Sequence, residues 1–583
     1  MPKIDQARGL LARLLGTWVL EADRRSLRAD ASAGLLGAVL ALPQAIAFAT
    51  LAGLPPAWGL YTSIVPCIVA ALAGSSRLVL SGPTNAVSLA MAAMLAPLAA
   101  AGSPEYLRLA VVATLIVGLI QTAVALLRLG TLANFISPSV LLGFTSGAAV
   151  LIGWHAATSV SGEPMAIALA IGTLAGAWAL RRLWGRGPYL LIALAAATLA
   201  GWALMRWAGE PLDHVGSLPQ AWPAWRPPPL QWSDVPRLTG IAVALTVVSL
   251  GQTIGIAKLL AARTRQPLDV NRECLGQGLS NLVGSFFSCF VSSGSLNRSL
   301  PNFTSGARTP LAAVFAGVLV LLLALAAEPL IAWVPLAAIA GLLLWVAGSL
   351  IDRAQWLRLL RVDRGEAAIA SATFVATLAL PLQEAVIGGV GLSLISYLVR
   401  TSRPALRTLG FDRVDRRRPT VVIDSNPCAL PECPQLKLLR MEGSVYFGAV
   451  AHVSERLQAL RSEREPARHL LVMAKSMNFV DDAGATMWEE EHLRRLAIGG
   501  DLYFHHPRPE VLRAWRQRGF LDRLGAKHVF DDKRSAIATI VPRLDGAICA
   551  RCTVRVFEEC AGQPGAPLAQ AADAGSDAAF AAK

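Results

Sequence analysis

The chain has 583 residues, 54% of them hydrophobic and only 16% charged, with a net charge of +14. Its apolar stretches are as long as a bilayer is thick and nearly free of charge, which excludes a wholly soluble protein. The arginines are spread over many short loops and not gathered on one face, so the positive charge does not point to a nucleic-acid partner.

Residues 1–30 read as a cytoplasmic N-terminal segment, basic through Lys3, Arg8, Arg13, Arg24, Arg25 and Arg28. It lacks the short apolar region and small-residue cleavage site of a signal peptide. A first transmembrane repeat, 31–208, follows with spans at about 31–50, 57–74, 106–127, 134–154, 165–181 and 188–208, and a less regular one at 78–100. Residues 209–237, with Pro227-Pro228-Pro229 and Trp222, Trp225 and Trp232, read as an external loop with aromatic anchors. A second repeat, 238–401, has spans at about 238–262, 309–327, 330–351, 366–381 and 384–401, and an irregular stretch at 272–308 that counts as two. The expectation is a polytopic α-helical membrane protein of fourteen spans in two halves of seven. An odd number per half inverts the second copy relative to the first. Alternate connections carry Arg77, Arg128, Arg181, Arg182, Arg186, Arg263, Arg265, Arg272, Arg353, Arg358, Arg361 and Arg364. By the positive-inside rule both termini face the cytoplasm, in an inner (cytoplasmic) membrane.

Within the spans, two strings echo one another. Ser81-Gly82-Pro83-Thr84-Asn85 returns 212 positions on as Ser293-Gly294-Ser295-Leu296-Asn297, followed by Arg298. Gln44 and Gln252 repeat at a similar offset of 208. Both strings interrupt apolar sequence with helix-opening residues, the pattern of broken helices whose free N-termini bind anions. In the first, Pro83 suits the first helical turn and the preceding Ser or Gly suits a cap. Each N-terminus carries about half a positive charge, so a facing pair supplies about one unit and Arg298 another. That roughly offsets a divalent anion such as sulfate. An Arg in apolar sequence either snorkels or pairs structurally, here with Glu273 or Asp269, or it serves function, and the functional reading comes first. In the first span Pro43 frees a backbone carbonyl beside Gln44, with Phe48 one turn on. A kink that only packs is the bland reading, but a buried amide needs a partner, which favours a cavity wall. No Asp or Glu lies in the expected first, third, eighth or tenth spans. A site of this kind suits negative charge and not a metal.

No catalytic cluster stands out, and no cofactor is called for. His155 and His214 fall on external loops and His505 and His506 end a strand, so the chain does not read as an enzyme. After 402–433, read as a linker, residues 434–545 have the composition of a soluble α/β domain. Strand-like runs lie at Leu436–Arg440, Ser444–Val450, His469–Ala474 and Asp501–His505, with helical patterns near 451–463, 482–497 and 508–518. Residues 546–583 read as a Cys-containing tail with a disordered end, Ala-, Gly- and Pro-rich from about 562. Cysteines are free thiols in a cytoplasmic setting. Cys549-x2-Cys552 with Cys560, and Cys428-x4-Cys433 apart from them, suggest zinc only weakly, because the spacing does not repeat as paired CxxC motifs do; the expectation is no metal.

The stretch from Gly37 through Leu42-Pro43-Gln44 to Phe48, then Gly53-Leu54-Pro55-Pro56 through Gly59-Leu60-Tyr61, then Ser81-Gly82-Pro83-Thr84, closely resembles the SulP family of inorganic anion transporters. The resemblance runs from about residue 24 to 545. It implies a seven-plus-seven inverted repeat with a core domain moving against a gate domain, and a C-terminal STAS domain. It places anion-binding roles on Gln44, Phe48, Thr84, Asn297 and Arg298, with Pro83, Asn85 and Gln252 beside them. Two departures matter. Where relatives carry an acid in the eighth span this chain has Gln252, which cannot titrate, so ion coupling through that position is in doubt. Where STAS antagonists carry a phosphorylatable Ser, this chain reads Asp481-Asp482-Ala483-Gly484, so Asp482 stands as a fixed charge at a helix N-terminus. The expected activity is secondary transport of a small oxyanion, sulfate first. Bicarbonate and dicarboxylates are rivals in the class, and a nucleobase permease or an anion channel or sensor are rivals outside it. Expected partners are the anion, the lipid bilayer, a second copy of the chain and a cytoplasmic protein at the STAS domain.

Overall fold

Proline and serine punctuate the membrane sequence. Pro56, Pro104, Pro138 and Pro164 open four helices, where the missing N–H leaves no bond unmade, and the Ser103 and Ser137 side chains cap two of them. The computed structural model describes residues 16, 18–131, 137–160, 163–184, 189–208, 212–216, 222–413 and 419–565. The tail from 566 and residues Lys3, Arg8, Arg13 and Arg186 lie outside the described residues. Two units result, Met1–Leu394 and Ile395–Lys583.

The first unit runs α1 (Arg24–Leu51), α2 (Pro56–Ala73), β1 (Ser81–Gly82), α3 (Asn85–Leu95), α4 (Pro104–Leu126), α5 (Pro138–Thr158), α6 (Pro164–Trp184) and α7 (Tyr189–Ala208). It continues with α8 (Asp234–Thr264), α9 (Val270–Gly284), β2 (Ser293–Gly294), α10 (Leu296–Thr304), α11 (Leu311–Ala332), α12 (Leu336–Leu350), α13 (Arg353–Val362) and α14 (Arg364–Ala379), and α15 (Leu382–Thr401) begins in it and runs past its boundary at Leu394. Among the described residues nine helices are long and apolar enough to cross a membrane. Two bundles form: α1–α4 pack with α8–α11, and α5–α7 pack with α12 and α14. Small residues bring backbones together, as membrane packing requires. A Cβ on Gly59 of α2 would fall 1.9 Å from the Ala45 carbonyl oxygen of α1, so only glycine fits.

The helices reach further than the apolar runs predict, and this corrects the acid-free reading of the first and eighth spans. Asp30 lies inside α1, fully buried, and its carboxylate accepts from the backbone N–H groups of Arg308 (2.7 Å) and Thr309 (3.1 Å) ahead of α11. Asp234 opens α8, buried and paired with Arg108 of α4. Both acids have structural partners. The stretch 353–362, expected as a connection, is an amphipathic helix with Leu357, Leu360 and Val362 exposed.

The second unit comprises β3 (Ala405–Phe411), β4 (Thr420–Val422), β5 (Leu436–Val445), α16 (Phe447–Arg461), β6 (His469–Met473), β7 (Met477–Val480) and α17 (Asp482–Ala497). It ends with β8 (Leu502–His505), α18 (Pro509–Gln517), α19 (Phe520–Leu524), β9 (Val529–Phe530), α20 (Lys533–Ile540) and α21 (Gly546–Arg551). The sheet order is β4-β3-β5-β6-β8-β9, with β7 also on β5. β5, β6, β8 and β9 are parallel, which is why helices connect them. Alternate residues along β6 feed two cores: Leu470 and Val472 face Trp488 and Trp515, while Leu471 and Met473 face Ile537 and Ile540.

Three expectations change here. Residues 402–433 are more than a linker, because β3 pairs antiparallel with β5 and β4 with β3. The run at Ser444–Val450 is no separate strand: β5 ends at Val445 and α16 starts at Phe447, whose N–H the Asp481 carboxylate holds at 2.9 Å. The beginning of the expected tail is folded, since Cys549, Val556, Phe557 and Cys560 bury against the sheet.

Candidate functional site

The two echoing strings meet. β1 pairs antiparallel with β2, Ser81 opposite Gly294 and Gly82 opposite Ser293, and the Ser295 N–H donates to the Leu80 carbonyl at 3.0 Å. Antiparallel strands leave their ends in opposite directions, so α3 and α10 start from one point and run apart. Strand pairing corrects the expected caps. Ser81 and Gly82 are strand residues, Pro83 precedes the helix, and Thr84 is the N-cap of α3; Ser295 caps α10. Neither cap uses its side chain.

At the junction the Thr84 and Ser293 hydroxyls lie 2.8 Å apart, and both donate to the Gln252 side-chain oxygen, at 3.3 and 3.1 Å. Thr84 and Ser293 are buried and Gln252 half-buried. Behind them, Arg298 is 2% exposed and donates from Nη2 to the Pro83 carbonyl at 2.9 Å. Its guanidinium lies under Gly82, where φ is +149° and a Cβ would stand 2.7 Å from Nη1. Arg298 pairs with neither Glu273 nor Asp269. Glu273 accepts from the Ser75 and Ser76 N–H groups (2.9 and 2.7 Å), and Asp269 caps α9. The charge at the junction is therefore a buried cation that no carboxylate pairs with among the described residues, holding one half-helix to the other.

The remaining expected residues divide. Gln44 and Phe48 are buried on α1, which packs against both α3 and α10, and the Gln44 Oε1 is buried with no partner. Such an amide can present its NH2 to the same spot after a flip. Asn85 turns its Oδ1 onto the N–H of Ala86, at 2.8 Å. Asn297 is exposed on the first turn of α10, away from the hydroxyl cluster's hydrogen bonds. In the soluble unit Asp481 is the N-cap of α17, accepting from Gly484 N–H at 2.9 Å, and Asp482 in the first turn pairs with Arg518.

A polar lattice escaped the sequence reading. Gln277 Nε2 donates to the Ser292 carbonyl (2.8 Å), its Oε1 accepts from Ser81 Oγ (3.1 Å), and Asn281 links Ser292 N–H (2.7 Å) to Gln121 (2.9 Å). Thr253 Oγ1 accepts from Gly294 N–H at 2.8 Å. The lattice fastens β2 to α4, α8 and α9. Its signal was the spacing of Gln277, Ser280 and Asn281 on one helical face within apolar sequence. A separate cavity of about 190 Å³ opens between the bundles, lined by Thr50 and Leu51 of α1, His155 of α5, Ala166 of α6 and Leu336, Ala340 and Leu343 of α12.

Two broken helices with facing N-termini, a buried guanidinium and, among the described residues, no carboxylate paired with it at the junction define an anion transporter of the multi-pass membrane class. The sequence matches the sulfate permease family over residues 27–167 and 154–373, and the STAS domain over 429–536. A probable sulfate transporter of Mycobacterium tuberculosis is 32% identical, over 88% of this chain and 94% of the relative. The chloroplastic sulfate transporter 4.1 of Arabidopsis thaliana is 30% identical, over 74% of this chain and 66% of the relative. Among solved structures, SLC26A9 superposes with a TM-score of 0.78 at 19% identity, covering 94% of this chain and 97% of that one. The transmembrane domain of a cyanobacterial bicarbonate transporter, BicA, superposes at 0.59 and 26% identity, covering 63% of this chain and 99% of that one. The chain belongs to the sulfate permease family and is not an enzyme.

Proposed function

We propose that the protein is a secondary transporter of small oxyanions, sulfate first, that holds its anion between the N-termini of α3 and α10 and moves it by alternating access. The observation that carries this is the antiparallel β1–β2 pairing, which aims two helix N-termini at one point above Arg298. Two half-charges and one full charge sum to about two units, the amount a divalent anion needs in a low-dielectric site. Thr84, Ser293 and Gln252 supply hydroxyl and amide groups that can turn from one another to the anion. Gln44 offers an amide from α1, and Phe48 walls the space. Pro83 and Asn85 shape the first half-helix, and Asn297 with Arg298 the second.

The separation into two bundles supports rocking of one against the other, and the 190 Å³ cavity between them supports an access path that ends within a turn of Phe48. Fourteen spans in a seven-plus-seven repeat, with both termini cytoplasmic in the inner membrane, agree with the arginine distribution. The STAS domain is a regulatory or dimerising module, with Asp481 and Asp482 as its loop. Sulfate is preferred because the named relatives are sulfate transporters. Bicarbonate is the second reading, favoured by the likeness to the BicA membrane domain.

The test is uptake of radiolabelled sulfate into proteoliposomes, competed by bicarbonate, succinate and uracil. Uptake with competition by unlabelled sulfate is expected. Uracil competing where sulfate does not would overturn the oxyanion reading.

A further inference from the structure

Four of the eight cysteines converge in the soluble unit. Cys433, just ahead of β5, joins Cys549, Cys552 and Cys560 around one cavity, closed by Gln435, Leu544, Val556 and Arg555. The pairing differs from the sequence spacing: Cys428 is exposed, while its neighbour Cys433 is drawn to the C-terminal three. The reason is structural. β5 lies inside the sheet, and α21 with the turn Glu558–Gly562 folds over its leading end, where Gln435 Oε1 accepts from Asp545 N–H at 2.9 Å.

The second observation is Arg555. It is 4% exposed and bonds through Nη1 to the Cys560 carbonyl at 2.9 Å and through Nη2 to the carbonyls of Gln563 and Pro564, yet its Nε is buried with no partner. No salt bridge involving Arg555 is found among the described residues, although a buried cation is costly without a compensating negative charge. Four thiolates around a divalent cation carry a net charge of about −2, which answers the guanidinium and gives its orphan N–H a sulfur acceptor. Gln435 Nε2 already donates to Cys549 Sγ at 3.2 Å, as an outer-shell donor orients a thiolate ligand.

We propose that Cys433, Cys549, Cys552 and Cys560 form a structural tetrathiolate zinc site that clamps the C-terminal segment onto the STAS sheet, with Arg555 and Gln435 as its outer-shell donors. The cavity has space for about one water-sized sphere (about 10 Å³), which suits a single ion. Among the described residues no three ligand side chains yet stand in metal-binding geometry, so binding closes the thiols inward by side-chain rotation and releases up to four protons per ion.

The full chain, purified in detergent without chelator, is expected to carry about one zinc by mass spectrometry, freed by a mercurial reagent. Reloaded with Co2+, it is expected to show thiolate-to-metal charge transfer and the visible bands of tetrahedral cobalt. Cys433→Ser and Cys552→Ser should each lose most of the metal, whereas Cys428→Ser retains it. Because a Ser variant can fail to fold, the cobalt spectrum of the unsubstituted chain stands as an independent readout. Absence of both bound zinc and a tetrahedral cobalt spectrum overturns the site, as does full zinc in Cys433→Ser. Iron with acid-labile sulfide overturns the single-ion form.

Discussion

Arg298 shows how little a residue's identity says about its task. The sequence reading gives it as added positive charge at the half-helix ends, and the family resemblance gives it an anion-binding role. The structure buries it under Gly82 and bonds it to the Pro83 carbonyl, so the role proposed for it is that of a fixed charge and a brace beneath the site. Arg298→Ala therefore has two effects. It leaves a buried carbonyl without a donor, worth about 1–3 kcal/mol of stability, and it removes a unit charge from the site. The expected outcome is sulfate uptake with KM raised about tenfold or more, equivalent to about 1.4 kcal/mol. A lower melting temperature should accompany it, and Arg298→Lys should recover part of the affinity. Unchanged uptake kinetics in Arg298→Ala would remove the residue from anion binding. Gln252 is legible only in part: the family resemblance marks it as a departure, but its place as shared acceptor for Thr84 and Ser293 needs α8 beside both half-helices.

At the scale of elements, the half-helices depend on a two-residue sheet. Ser81–Gly82 and Ser293–Gly294 are too short to be read as strands, and their pairing joins residues 212 positions apart. The lattice of Gln277, Ser292 and Thr253 supports the pairing inside an apolar bundle, together with the Ser299 hydroxyl on the Leu80 N–H and Arg298 on the Pro83 carbonyl. Gly82 carries a double constraint, a positive φ and a guanidinium against its Cα. Gly82→Ala adds backbone strain of about 1–3 kcal/mol and pushes Arg298 away. It is expected to cut uptake to about a tenth or less while the protein still reaches the membrane and elutes as a single species in detergent. Wild-type uptake in that variant would refute the close fit. The soluble strands β5, β6 and β8 are legible because most of their residues are apolar and buried, whereas β4 is a three-residue edge strand and β3 interrupts its apolar residues with Arg407 and Thr408, which leaves a weaker pattern.

For the whole molecule, each unit has its own electrostatic logic. The membrane unit pairs its buried acids, Asp30, Asp234 and Glu273, with backbone N–H groups or Arg108. The soluble unit instead buries imidazoles. Desolvation lowers the pKa of His469 and His492, more than the nearby Asp501 raises it, so both are neutral when folded near pH 7. An unfolded imidazole titrates near about 6.5. The unfolded chain thus takes up more protons below that pH, and the contribution present above about 6.5 is lost as pH falls toward the lower folded values. Melting of the full chain in detergent should show a soluble-unit transition that drops as pH falls below about 6.5, and a His469→Gln, His492→Gln double variant should flatten that slope. An unchanged slope would assign the acid sensitivity to other groups.

By itself the sequence determined the membrane class, most helix positions, the family resemblance and the two strings that bind the site together. These are local or periodic properties: hydropathy over twenty residues, proline and serine at helix starts, motifs a few residues long. The tertiary structure alone decided that the strings pair with one another, that Arg298 bonds to the Pro83 carbonyl, that Asn297 lies exposed, and that Cys433 leaves Cys428 for three cysteines over a hundred residues away. Each of those depends on which buried polar group finds a partner across the fold, and that choice is made by packing, which no local pattern records.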